Sequence, residues 1–141
     1  MIATLYERCM IATLYERWLL EMWNGDFELA HDLVTPGFVG HWPGKEVMGP
    51  GELIEMLRQG HAPFGDVSVT LDVGPIVDGD RVAARWTFGG SYRGGLPGAT
   101  APEGTRVAFS GHDVLRAEGE RFAEYWVISD VQALARRLGM D

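Results

Sequence analysis

The sequence predicts an α+β fold in which helices from the first third of the chain pack on one face of a strongly curved sheet. Apolar residues recur at helical spacing early in the chain, as at Ile11, Leu14 and Trp18. From Asp66 onward the period changes to two, and valine and leucine alternate with polar residues over 67–73. A curved sheet covered by helices can enclose a pocket between the two layers.

The first helix begins in a tandem repeat, because residues 1–8 and 10–17 both read MIATLYER. A helix turns by about 100° per residue, so a shift of nine residues rotates the pattern by about 180°. Ile2 and Leu5 of the first copy therefore point away from the core that the second copy faces. We expect a single domain of 141 residues, with residues 1–9 as a duplicated extension whose first turns touch another chain.

The later elements follow from turn and cap signals. Asn24-Gly25 ends the first helix, and Asp26 is a suitable N-cap for a short second helix that stops before Pro36-Gly37. We expect a short strand at 38–42, and Gly49-Pro50 begins a third helix with proline in its first turn. The remaining predictions are strands at 67–73, 81–92, 106–117 and 120–129, turns at Asp78-Gly79 and Glu118-Gly119, a glycine-rich loop at 94–104 and a final helix at 131–138.

Composition restricts the class of function. A net charge of −8 argues against a nucleic-acid partner or an anionic membrane surface. No run of 18 apolar residues and no signal-peptide pattern is present, so we expect a cytoplasmic protein that does not enter a membrane. Four histidines without ligand spacing and one cysteine give no indication of a metal site, and we expect no cofactor.

The order of motifs from Trp18 to Gly139 is specific, above all the run GHDVLRAEGERFAEYWVISD and the closing LG. It resembles the SnoaL-like polyketide cyclase family, within the nuclear transport factor 2-like superfamily. The resemblance implies a cone-shaped, mixed or antiparallel sheet packed against N-terminal helices around an apolar cavity. It also implies assembly into homodimers or larger homo-oligomers, and an aldol-type ring closure on a hydrophobic polycarbonyl substrate.

Asp130 is the first candidate for the general acid/base, because the resemblance places a carboxylate at the end of the last long strand. An aspartate suits this role only where burial raises its pKa toward neutral. Asp130 also stands where it could cap the final helix. His112 is the second candidate, as a donor or proton relay. If His112 pairs with Tyr125, it faces away from Asp130 unless a β-bulge intervenes.

Other residues are candidates for the pocket and for rival functions. Asp113 is a possible second acid on the Asp130 face. The superfamily also includes epoxide hydrolases that activate water with an Asp-Arg-Asp set, so by this resemblance Arg85 with Asp113 and Asp130 is the corresponding alternative. A binding protein without turnover is a further alternative. His41 either lines the pocket mouth or is structural. The full set of predicted substrate-binding residues is Tyr15, Trp18, Phe38, His41, Met56, Phe64, Trp86, Phe88, Tyr92, Phe109 and Trp126.

The last two strands also predict an assembly surface. Without a bulge, their outward positions are strongly apolar, which is unusual for an exposed face. We therefore expect a homodimer built on this side of the sheet. The predicted outward positions are Ala108, Val114, Ala123, Tyr125 and Val127.

Overall fold

The computed structural model describes residues 2–140, with side chains from Thr4 onward. Six strands form one curved, unclosed sheet in the order β2-β1-β6-β5-β4-β3. The strands are β1 (Val34–Trp42), β2 (Lys45–Met48), β3 (Phe64–Asp78), β4 (Arg81–Tyr92), β5 (Arg106–Glu118) and β6 (Arg121–Ser129). β1 and β6 are parallel, and the other neighbours are antiparallel. The predicted α+β cone with a mixed sheet is confirmed.

Four α-helices accompany the sheet. They are α1 (Ile2–Glu16), α2 (Ala30–Leu33), α3 (Gly49–His61) and α4 (Val131–Arg137), with a π-helical segment at Arg17–Met22 and a 3₁₀ turn at Phe27–Leu29. Helix α3 begins with proline in its first turn, as expected. None of the helices within residues 2–140 is long and apolar enough to cross a membrane.

Helix α1 runs without a break through residues 2–16 of the repeat, but the two copies have opposite environments. Tyr6 of the first copy is 65% exposed, whereas Tyr15, the equivalent residue of the second copy, is fully buried. Leu5 and Leu14 differ in the same way. This is the half-turn offset that nine residues impose on a helix. The side chain of Ile2 lies outside the described residues, and the role of residues 1–9 as an extension stays a prediction.

The end of the first helix differs from the prediction. The chain continues into π-helical turns, in which the Trp23 N–H donates to the Trp18 carbonyl over five residues. Asp26 lies at the predicted N-cap position, before the 3₁₀ turn at Phe27–Leu29, but its side chain makes no capping hydrogen bond. Asn24 instead bridges to β3, where its side-chain amide donates to the Val69 carbonyl and accepts from the Val69 N–H.

A β-bulge changes the register between β5 and β6. Ala117 pairs with Phe122, but Arg116 pairs with Glu124, so Ala123 is an additional residue on β6. Beyond the bulge His112 pairs with Ile128, and the predicted pairing of His112 with Tyr125 is wrong. One extra residue reverses which face every later side chain of the strand occupies.

The bulge also corrects the predicted outward face. Tyr125 and Val127 point into the buried side of the sheet beside Asp113, and Ala123 is buried as well. Trp126 and Ile128 take their places on the outer face, where Ile128 is 72% exposed.

Candidate functional site

Asp113 is a buried carboxylate on the inner face of the sheet, with 1% of its surface exposed. Its Oδ2 accepts a hydrogen bond of 2.8 Å from the Tyr15 hydroxyl. Its Oδ1 accepts from the Trp86 indole N–H at 2.8 Å and from the Tyr125 hydroxyl at 2.7 Å. Three uncharged donors therefore fix both oxygens of one carboxylate in a water-poor environment.

Each donor reaches Asp113 for a reason that lies in local structure. Tyr15 comes from the buried stripe of α1, and Tyr125 faces inward because of the bulge at Ala123. Trp86 lies on β4 opposite Gly111 of β5. A Cβ atom at Gly111 would overlap the indole ring of Trp86, so only glycine leaves room for the ring there.

Burial raises the pKa of Asp113 to about 6, and the hydrogen bonds from Tyr125, Trp86 and Tyr15 limit the rise. The Trp18 indole adds a weaker effect in the same direction, although its Nε1 has no partner within hydrogen-bond geometry. Burial, and then the Asp113 charge, raise the pKa of both tyrosines, so they remain neutral donors. Asp113 can therefore accept and return a proton near neutral pH.

Aromatic side chains fill the interior around this carboxylate. The Trp18 ring packs against Phe38 and Tyr125, with centroids 6.0 and 4.9 Å apart. Trp86 contacts Phe109 edge-on at 5.8 Å, and Phe109 contacts Phe88 at 5.1 Å. Nine of the predicted substrate-binding residues lie on this inner side or pack against its core: Tyr15, Trp18, Phe38, Met56, Phe64, Trp86, Phe88, Tyr92 and Phe109.

Asp130, His112 and Arg85 meet elsewhere, along an open groove of about 460 Å³ on the outer side of the sheet. Asp130 is exposed and caps α4, where its Oδ1 accepts from the Ala133 N–H at 3.0 Å. Arg85 pairs with Asp72 at 3.2 Å. The structure thus brings three predicted site residues together, but it does not place them with Asp113.

His41 and Trp126, the other two predicted pocket residues, also lie on the outer side, with ring centroids 5.6 Å apart. His41 Nε2 lies 2.7 Å from Glu124 and Nδ1 lies 2.9 Å from Glu46. The hydrogen bond with Glu124 raises the pKa of His41, and the bond with Glu46 adds to this effect. Carboxylates only accept, so the protonated ring satisfies both contacts.

Tyr125 is the functional candidate that sequence reasoning missed. Alternation alone placed it on the outer face, and only the bulge turns its hydroxyl toward Asp113. The signal in the sequence was the apolar pair Phe122-Ala123, which breaks strict alternation and is consistent with a bulge.

A groove of about 540 Å³ along α1, lined by Cys9 and Arg17 among others, lies away from Asp113. Among residues 2–140, no group of three or more histidine, cysteine, aspartate or glutamate side chains is placed to hold a metal ion.

Comparison with known proteins identifies relatives over nearly the whole chain. The family model described as SnoaL-like polyketide cyclase matches residues 13–138. TsrD from Streptomyces laurentii is 30% identical, with a TM-score of 0.79, and the match covers 94% of this chain and 96% of TsrD. No curated protein matches the chain.

Two further solved structures resemble the fold. A candidate SnoaL-like polyketide cyclase from Jannaschia sp. CCS1 has a TM-score of 0.81 at 17% identity, covering 95% of this chain and 94% of its own. IdmH, a candidate polyketide cyclase from Streptomyces antibioticus, has a TM-score of 0.73 at 25% identity, covering 86% and 93%.

Proposed function

Because the chain belongs to the SnoaL-like polyketide cyclase family, we propose that it closes a ring by aldol chemistry on a hydrophobic polycarbonyl substrate, with Asp113 as the general acid/base. The observation that carries the proposal is the buried Asp113 carboxylate, held by three neutral donors with its pKa raised toward neutrality. No cofactor is needed for such a reaction, because proton transfer and carbon–carbon bond formation balance without one.

In the proposed reaction, Asp113 removes a proton from a carbon that lies between two carbonyl groups. The resulting enolate carbon attacks a second carbonyl carbon of the same molecule and forms the ring bond. The protonated Asp113 then returns its proton to the new alkoxide oxygen. In this proposal the hydroxyls of Tyr15 and Tyr125, which both donate to Asp113, transfer their hydrogen bonds from the carboxylate to the enolate oxygen as the carboxylate becomes neutral.

Asp130 and His112 remain the alternative acid/base pair that the sequence predicts. Their groove is open, and the exposed Asp130 side chain caps α4 through its hydrogen bond from the Ala133 N–H. The epoxide-hydrolase alternative requires an arginine between two carboxylates. Arg85 pairs instead with Asp72, a residue on the neighbouring strand β3.

The proposal is tested by hydrogen–deuterium exchange at the activated carbon of methyl benzoylacetate, followed by proton NMR in D₂O with wild-type protein. We expect exchange well above the buffer rate. Exchange at the buffer rate contradicts the proposal; diol formation from styrene oxide would then indicate the hydrolase, and ligand binding without turnover would indicate a binding protein.

We also propose a homodimer built on the outer sheet face, through the patch formed by Val114, Trp126 and Ile128. Ile128 is 72% exposed and Val114 39% exposed, so the patch leaves apolar surface in water. Light scattering at micromolar concentration should give twice the chain mass for wild type and a lower mass for Ile128→Glu. A monomeric wild type would contradict this proposal.

A further inference from the structure

The side chains around Asp113 are not equally deep. Tyr15, Trp18 and Tyr125 are all fully buried, whereas Trp86 retains 6% of its surface. Among these side chains Tyr125 contacts one half-buried aromatic residue, Trp42, whereas Trp86 contacts two. Its ring stacks on Trp23 with centroids 6.5 Å apart and meets Phe109 edge-on at 5.8 Å. Trp86 therefore separates the carboxylate from the more accessible part of the interior.

Gly111 fixes where this ring sits. On the inner face of β5 the order is Phe109, Gly111, Asp113, and Trp86 pairs with Gly111 from β4. The indole occupies the space that a side chain at Gly111 would fill, and its N–H reaches Asp113. A ring held only by packing and one hydrogen bond over a glycine can move without shifting the strand.

We propose that Trp86 is a positioning residue that covers Asp113, and that a ligand reaches the carboxylate when the ring leaves Gly111 and breaks its hydrogen bond to Oδ1. This inference rests on the proposed function and concerns how the access of a ligand to the same site is controlled.

Movement of the Trp86 ring changes both the access of a ligand to Asp113 and the basicity of the Asp113 carboxylate. Its N–H stabilises the ionised carboxylate, so loss of that bond raises the pKa of Asp113 and makes the carboxylate a stronger base. The titratable groups that contact Asp113 are Tyr15 from α1 and Tyr125 from β6, and both stay neutral. No charged side chain among the described residues makes a hydrogen bond or ion pair with Asp113, so Asp113 titrates without a charged partner.

The test compares Trp86→Phe with Trp23→Phe by carbon NMR titration of the Asp113 carboxyl group in the unliganded protein. Trp86→Phe keeps an aromatic cover but removes the N–H, and we expect the Asp113 pKa to rise by about 1 pH unit. Trp23→Phe removes an indole N–H that has no hydrogen-bond partner, and it should leave the pKa unchanged. Equal pKa values in wild type and Trp86→Phe would overturn the proposal.

A second measurement needs no variant and no substrate. In wild type, the Trp86 indole N–H should exchange with solvent at least ten-fold faster than the Trp18 indole N–H, because only the former opens locally. Equal rates would overturn the proposal, since both groups would then open only when the protein unfolds. Neither measurement uses the carbon-exchange assay. A failure of the proposed function can therefore be distinguished from a failure of the proposal for Trp86.

Discussion

Asp113→Asn is expected to reduce carbon–hydrogen exchange on methyl benzoylacetate by a factor of about 10²–10⁴, the usual contribution of a positioned general base. The amide keeps the shape of the carboxylate, and its oxygen can still accept from Trp86 and Tyr125. Its NH₂ group takes the place of Oδ2 and can donate to the Tyr15 hydroxyl oxygen, but the amide cannot take up a proton. Binding of the ester should persist, because the aromatic walls are unchanged. Exchange rates and the dissociation constant, both measured by NMR, check this result.

Asp130→Asn is the matched control, since it removes the same charge from an exposed helix cap. Asparagine is also a good N-cap, so α4 should remain intact. We expect exchange within a few-fold of wild type. The opposite pattern, with activity lost at Asp130 and kept at Asp113, would return the acid/base role to the outer groove.

The stability of the protein should fall as pH rises through the range in which Asp113 ionises. In the unfolded chain an aspartate has a pKa near 3.9, whereas burial raises the pKa of Asp113 to about 6 in the native state. Well below pH 4 both states hold the proton and the native state is not penalised. Between pH 4 and 6 the unfolded chain releases it first, which costs about 3 kcal/mol of stability by pH 7.

Urea unfolding of wild type and Asp113→Asn at pH 4 and pH 7 isolates this effect. His41 and Glu124 also have shifted pKa values, but they are present in both proteins and cancel in the difference. The free energy of unfolding of wild type, minus that of the variant, should decrease by about 2 kcal/mol between the two pH values, because about half of the unfolded chains have already lost the Asp113 proton at pH 4. A difference that does not change with pH would mean that Asp113 ionises normally.

Much of the fold could be predicted because periodicity and turn residues are local signals. The alternation on β4 and the Asp78-Gly79 turn predict their elements closely, and the nine-residue repeat predicts the opposite burial of Tyr6 and Tyr15. The parallel pairing of β1 and β6 could not be derived from spacing, because it joins segments about 90 residues apart. The family resemblance implied a mixed or antiparallel sheet but did not specify this pairing.

The site was harder to predict because one residue decides it. The bulge at Ala123 turns Tyr125 inward and leaves Trp126 outside, and bulges have no reliable pattern in a single sequence. The depth of Asp113 depends on donors from α1, β4 and β6, whose meeting is a tertiary event. Asp130 was a candidate because it lies at the end of a strand. The same position is that of an N-cap for the helix that follows, and this is the role that Asp130 has in the structure.

The central claim is that Asp113 is a carboxylate whose burial brings its pKa into the range of proton transfer near neutral pH. The most direct measurement is a carbon NMR titration of the Asp113 side-chain carboxyl in the unliganded wild-type protein, assigned by its absence in Asp113→Asn. The structure predicts a midpoint near pH 6. A midpoint at or below about pH 4, the value of an ordinary aspartate, would contradict the claim.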